Sequence, residues 1–250
     1  MITRIPSVAL VAASVLLTGC GGGALAATDH ASAPTPASSA PASPSPSSEV
    51  SAEAAARQLP GVGPTMLARI PAGTEQVVLV TGRDANSPRS TLALYERTDD
   101  GWAETVSWAA HNALRGWSDH HMGGDLRSPV GVYSLTDAGG LLKDPGTKLT
   151  YDQGRGFVSP GTGFEGEPLA GSFDYVIAIN YNRKPGTSPL DWTRPLGSSR
   201  GGGIWIHVDH GGPTHGCVSI AEDHMKELLR TLDPARHPVV VMGDAAALSH

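Results

Sequence analysis

Cysteine is nearly absent: the 250 residues contain two, Cys20 and Cys217. Cys20 sits at the end of an N-terminal apolar run. Cys217 lies near the other end and has no apparent disulfide partner. That excludes the disulfide framework on which small secreted domains often rely. A chain of this length buries a full core without such staples. Basic runs are absent too, and the formal charge is -6. Nucleic acid and anionic lipid are therefore excluded as main electrostatic partners. The apolar run at residues 5–17 is too short to span a bilayer. There is no internal repeat and no HExxH metal motif.

What is present at the N-terminus reads as an export signal. A short segment with one positive charge, Arg4, precedes the apolar run, which ends in Leu17-Thr18-Gly19-Cys20. That tetrapeptide resembles the lipobox of bacterial lipoproteins. The resemblance implies lipidation of the Cys20 thiol and removal of residues 1–19. Lipidation would anchor the chain to the outer face of the cytoplasmic membrane. An ordinary secretory signal with an incidental cysteine is the alternative. Either way the segment is set aside from the fold.

Residues 31–48 contain only Ala, Ser, Thr and Pro. Such a stretch buries too little apolar surface to offset its ordering entropy. Its prolines keep it extended. Residues 20–70 are thus expected to be a lipidated cysteine and linker, with a short helix at 51–58. The catalytic domain is expected at 71–245.

This domain reads as mainly β. Strands are expected at 76–81, 90–97, 102–109, 130–135, 174–181, 204–208, 217–220 and 238–242, where β-branched or alternating apolar residues lie between turn signals. One helix is expected at 221–232, with Met225, Leu228, Leu229 and Leu232 at helical spacing. Asp233-Pro234 stops it. Many short strands with frequent turns imply a β-sandwich or barrel-like domain with one C-terminal helix.

The chemistry concentrates in Pro213-Thr214-His215-Gly216-Cys217-Val218-Ser219, just after the strand that carries His207. A lone thiol beside histidines in an exported protein is a candidate nucleophile. Histidine within hydrogen-bond reach takes the thiol proton and later returns it to a leaving amine. His207 and His210 both remain candidates for this base. Backbone N–H groups of Gly216 and Cys217 would suit an oxyanion.

The pattern of His207 followed by Thr214-His215-Gly216-Cys217-Val218 resembles the YkuD-type L,D-transpeptidases, cysteine enzymes of bacterial peptidoglycan. Upstream, Gly123-Gly124-Asp125-Leu126-Arg127-Ser128-Pro129-Val130-Gly131-Val132-Tyr133 resembles that family's Gly-Asp-x-Arg/Lys-Thr-Pro-x-Gly-x-Phe segment. Asn180-Tyr181-Asn182 is also similar. The resemblance implies a YkuD-like β-sandwich, no cofactor and no metal. It implies peptidoglycan stem peptides as partners, with Cys217 as nucleophile, His207 as base, and His215 and Gly216 lining the site. Attack on the third stem residue would expel D-alanine and leave a thioester. A side-chain amine of a second stem would resolve it, giving a 3-3 crosslink. Two departures stand out. The segment between His207 and Cys217 is shorter than in better-known members, and Ser219 stands where Arg is common.

Other readings stay open. Water could replace the amine, making an L,D-carboxypeptidase. His207, His210, His215 and Cys217 could hold zinc in a peptidoglycan peptidase. The fold could also be an idle wall-binding lipoprotein. Of the remaining features, His120 and His121 read as loop residues, Asp125 and Arg127 as a turn-stabilising pair, Trp117 and Trp205 as packing. Gly201-Gly202-Gly203 reads as a flexible loop.

Overall fold

The structure, a computed structural model, describes residues 58–250. The lipobox, the linker at 31–48 and nearly all of the helix expected at 51–58 lie outside the described residues. Three strands open the sheet as a meander: β1 (Gln76–Gly82), β2 (Arg89–Thr98) and β3 (Gly101–His111). β3 hands on to β10 (Val218–Ile220), which runs parallel to β9 (Trp205–Val208). Next come β8 (Val176–Ile179) and β6 (Gly131–Gly140), with β7 (Thr150–Gln153) at the flank of β6. β11 (Val239–Asp244) pairs with β1 on one side and β6 on the other. That last pairing bends the sheet round on itself. The mainly β expectation holds, in its barrel-like form. A separate two-residue pair joins β4 (Trp117–Ser118) to β5 (Ser128–Pro129).

Strand alternation divides the apolar residues between faces. Val78 and Val80 of β1, Leu92 and Leu94 of β2, and Val240 and Met242 of β11 enter the main core. Their neighbours Val77, Leu79, Ala93, Tyr95, Val239 and Val241 enter a second core on the opposite face. So β1 is apolar on both faces and reads as a continuous run. The expected helix is observed as α2 (Glu222–Thr231), which seals Met225, Leu228 and Leu229 into the main core. Burying each such side chain is worth about 1.5–3 kcal/mol. Glu222 and Asp223 in its first turn and Arg230 in its last suit the helix dipole.

The packed unit begins upstream of the Pro71 boundary. Leu59, Val62 and Met66 are buried against β1 and β11, with Met66 on the short helix α1 (Pro64–Leu67). The C-terminal helix α3 (Ala245–Leu248) adds Leu248 to the same core. Gly63 N–H donates to the Leu248 carbonyl, which ties the two ends together. A short Gly- and Pro-punctuated stretch gives no periodicity, so this packing was not legible in the residues.

A third, smaller core matters most for chemistry. Val176, Ala178 and Trp205 pack with Phe157 on the face of β8 and β9 that looks away from the main core. Phe173, Leu190 and Cys217 lie against it.

Candidate active site

β9 and β10 run parallel, with Val218 opposite Ile206, Ser219 opposite His207 and Ile220 opposite Val208. Ile206, Val218 and Ile220 fill the main core. Alternation therefore turns Trp205, His207 and Cys217 to the other face. By this register His207 and Cys217 are diagonal neighbours.

The turn into Cys217 is tightly held. Thr214 N–H donates to the Asn112 carbonyl at 3.0 Å, and Leu114 N–H donates back to Thr214 at 2.9 Å. The Cys217 carbonyl accepts from the Thr214 hydroxyl at 2.7 Å and from the Ser128 hydroxyl at 3.3 Å. Ser128 belongs to the upstream segment, so the two sequence motifs meet at Cys217. The turn packs closely at Gly216: a Cβ there would stand 2.9 Å from Ile204 Cδ1 and 3.5 Å from the Arg127 carbonyl oxygen. Among the described residues, no turn or cap hydrogen bond uses the N–H of Gly216 or Cys217.

Cys217 is a free, half-buried cysteine. Trp205 N–H donates to its Sγ at 3.4 Å, and the thiol faces the Gly203 carbonyl at 3.6 Å. The protein packed around the sulfur outweighs its partial exposure. It pushes the thiol up to about 11, with the Trp205 N–H pulling weakly the other way. His207 is buried, and its Nδ1 lies 2.9 Å from the Val208 carbonyl. That contact puts the proton on Nδ1 and leaves Nε2 as an acceptor. Burial drives the imidazole down to about 4, with His210 adding to the effect against the Val208 bond. His207 is neutral at pH 7, the state a base requires.

His210 has a different setting. Its Nδ1 lies 3.1 Å from Glu167 Oε1, and its ring stacks on that of His207 at 5.9 Å and 12°. Backbone N–H groups of Glu167 itself and of Glu165 hold the Glu167 carboxyl below the usual range, and His210 adds to this. His215 is exposed and packs on Phe164, ring centroids 4.6 Å apart. Phe164 and Glu167 share one loop, so a single loop touches both His215 and His210.

Ser219 is fully buried and donates to Asp209 Oδ1 at 2.7 Å; His111 Nδ1 meets the same oxygen at 2.9 Å. Burial opposes ionisation of Asp209, but the His111 and Ser219 bonds overcome it and hold its carboxyl low. The Asp209 bond in turn raises His111. A histidine from β3 thus shares the Asp209 carboxylate with Ser219.

A cavity of about 180 Å³ is lined by Phe173, Leu190, Trp192, Arg194, Gly203 and Trp205; Cys217 does not line it, but its thiol faces the lining residue Gly203. Trp192 is 79% exposed and stacks with the Arg194 guanidinium at 4.8 Å. A larger cavity of about 670 Å³ lies beyond His121, and Cys217 does not line it.

The expected flexible glycine run is corrected, whereas the loop histidines are where they were expected. His121 is a buried loop residue, and its ring reaches within 3.9 Å of where a Gly216 Cβ would stand, so it backs the turn. His120 is an exposed loop residue. The Gly201-Gly202-Gly203 run is a close-packed segment at positive φ: a Cβ on Gly202 would strike Arg194 at 2.3 Å. Asp125 does stabilise the turn, accepting from Met122 and Arg127 N–H, while the Arg127 guanidinium binds the Ala85 and Trp117 carbonyls. Trp117 and Trp205 pack as expected. The four candidate zinc ligands are engaged separately. Among the described residues no three His, Cys, Asp or Glu side chains converge as a metal-ligand set. Glu167, Asp209 and His111 carry no motif of their own. Only Thr214 and Ser128 were visible, as members of the two motifs.

A buried imidazole on the same strand face as a lone thiol has the make-up of a cysteine enzyme's site. The model of the YkuD L,D-transpeptidase catalytic domain matches residues 84–241, well over half of the chain. The chain belongs to the YkuD L,D-transpeptidase family. No curated protein sequence matches it. Among solved structures it is similar to the helical cell shape determining protein Pgp2 from Campylobacter jejuni, at 17% identity and a TM-score of 0.40. It is also similar to Bd1075 from Bdellovibrio bacteriovorus, at 16% identity and a TM-score of 0.36. Each likeness covers 68% of this chain and 48% of the other, so the chain spans about half the length of these proteins.

Proposed function

We propose that the protein is a lipid-anchored peptidoglycan L,D-transpeptidase that forms 3-3 crosslinks through a thioester on Cys217. The observation that supports this reading is that the β9–β10 register turns His207 and Cys217 to one face, with no direct contact between the two side chains. The thiol and a buried imidazole share one strand face, and the imidazole keeps Nε2 free because Nδ1 bonds to Val208.

In the acylation step the thiol turns from Gly203 toward His207 Nε2 and gives up its proton. Sγ attacks the carbonyl carbon of the third stem residue. The N–H groups of Gly216 and Cys217 donate to the resulting oxyanion. His207 then protonates the departing D-alanine amine as the C–N bond breaks. The side-chain amine of a second stem attacks the thioester, and the C–S bond breaks as the new amide forms. The cavity between Trp192 and Trp205 receives the stem. Loss of Nε2 basicity commonly costs about 100- to 10000-fold.

The N-terminus supports an extracytoplasmic placement. Residues 1–19 would be removed, Cys20 would carry the lipid, and the Ala/Ser/Thr/Pro stretch would hold the domain away from the membrane.

Carbapenems test the reading, because a β-lactam carbonyl can be attacked like a stem carbonyl. One adduct per chain is expected by intact mass, mapping to Cys217, and Cys217→Ser is expected to stay folded without it. An adduct on Cys217→Ser, or none on the wild type, refutes the assignment.

A further inference from the structure

The acylation step leaves His210 and Glu167 unused, yet they form a built site. Glu167 reaches His210 from 43 positions away in sequence. Its carboxylate sits in a slot that two glycines keep open. A Cβ on Gly163 would stand 1.9 Å from Oε1, and one on Gly212 would stand 2.2 Å from the same atom. One glycine lies on the Glu167 loop and the other on the loop after β9. The loop is braced by Gly163 N–H to the Glu167 carbonyl at 2.8 Å and by Glu165 N–H to Glu167 Oε2 at 2.8 Å. The dyad is largely shielded, with 5% of the His210 side chain and 12% of the Glu167 side chain exposed. Glu167 accepts at His210 Nδ1, so Nε2 is left to accept a proton. The stack on His207 sets this second imidazole beside the first.

The second half of a transpeptidation needs such a group. An alkyl amine is an ammonium ion at pH 7 and has no lone pair with which to attack. A thioester that meets water instead is simply hydrolysed. We propose that His210 and Glu167 form the acceptor site, which takes a primary alkylammonium and delivers it to the acyl-enzyme as a free amine. This rests on the transpeptidase reading of Cys217 and assigns residues to its second half.

The protons balance as follows. The ammonium gives one proton to His210 Nε2, which later loses it to solvent. The amine nitrogen forms a bond to the thioester carbon. The C–S bond breaks, and the second N–H proton passes through His207 to the Cys217 sulfur. His210 is the residue that touches the acceptor. Glu167 is a positioning residue: it fixes the tautomer of His210 and adds a negative charge that favours an ammonium over water.

The test uses the full detergent-solubilised chain, acylated with a tetrapeptide stem and then mixed with one of two nucleophiles. One is a second stem with a free side-chain amine. The other is hydroxylamine, which is already neutral at pH 7 and needs no base. The proposal expects His210→Gln and His210→Asn to lose far less in acylation than in transfer. Their transfer to the stem amine should fall by about 100-fold or more, with hydrolysis taking over, while transfer to hydroxylamine stays close to wild type. Glu167→Gln should follow in the same direction, and Glu167→Asp should recover part of the loss. Equal loss with both nucleophiles would make the dyad structural and overturn the proposal. Loss confined to acylation would also overturn it and move the thiol's base to His210. A wild type that never acylates removes the transpeptidase reading itself, a result distinct from either.

Discussion

The Cys217 thiol is expected to rest protonated, and this sets a testable pH law. Its raised value of about 11 compares with 9.0 for an unperturbed thiol. At pH 7 the thiolate fraction is then about 1 in 10000, against about 1 in 100 for the unperturbed group. His207 at about 4 cannot hold the proton as a standing imidazolium. The resting pair is neutral thiol and neutral imidazole, and proton transfer accompanies attack on the substrate. The perturbation is pH and the assay is iodoacetamide alkylation of Cys217, followed by intact mass. Steric access scales the whole curve, whereas the slope reports ionisation. The rate should climb about tenfold per pH unit from pH 6 to pH 9 without a plateau. A plateau already reached below pH 7 would mean a thiolate–imidazolium pair, and would refute the reasoning.

Further outcomes follow from the same contacts. His207 has a depressed value in the folded state, so the unfolded chain binds its proton first as pH falls. Stability from this group is present above pH 6.5 and is lost toward pH 4, on the order of 3 kcal/mol in all. Denaturant midpoints at pH 7 and pH 4.5 should therefore differ less in His207→Gln than in the wild type; an unchanged difference would contradict the burial argument. Thr214→Val and Ser128→Ala should each cost about 1 kcal/mol. The double variant should cost more than their sum, because only then does the Cys217 carbonyl lose both hydroxyls. Chemical denaturation reads this, and strict additivity would count against the shared role. Leu229→Ala, fully buried in the main core, should lose about 2–5 kcal/mol in the same assay; a loss below that range would place Leu229 outside the close packing of α2.

How much was legible depended on whether the signal was local. Runs such as Val77-Val78-Leu79-Val80 and Val239-Val240-Val241-Met242 have no other stable fate than strands buried on both faces. Met225, Leu228 and Leu229 could only be one helix stripe. Cys217 and its motif are contiguous, and the structure brings His207 onto the same face as Cys217. Residues that meet only through loops were invisible. Glu167 sits in a Gly-rich hairpin with no periodicity, and nothing local links it to His210. His111 finishes β3 and reads as an ordinary strand end. The three glycines at 201–203 looked flexible because glycine suits both loose and crowded backbone, and their positive φ values mark the second case. Leu59, Val62 and Met66 fall between glycines and prolines, where apolar residues carry no pattern.

The central claim is that Cys217 carries the stem as a thioester on the way to a 3-3 crosslink. Intact-mass analysis of the protein mixed with tetrapeptide-containing wall fragments tests it directly. The account predicts an adduct at Cys217 equal to the donor stem minus D-alanine. That adduct should disappear when a second stem is added, with a third-residue to third-residue crosslink as product. Crosslinking that persists in Cys217→Ser, or turnover with no adduct at Cys217, would contradict it.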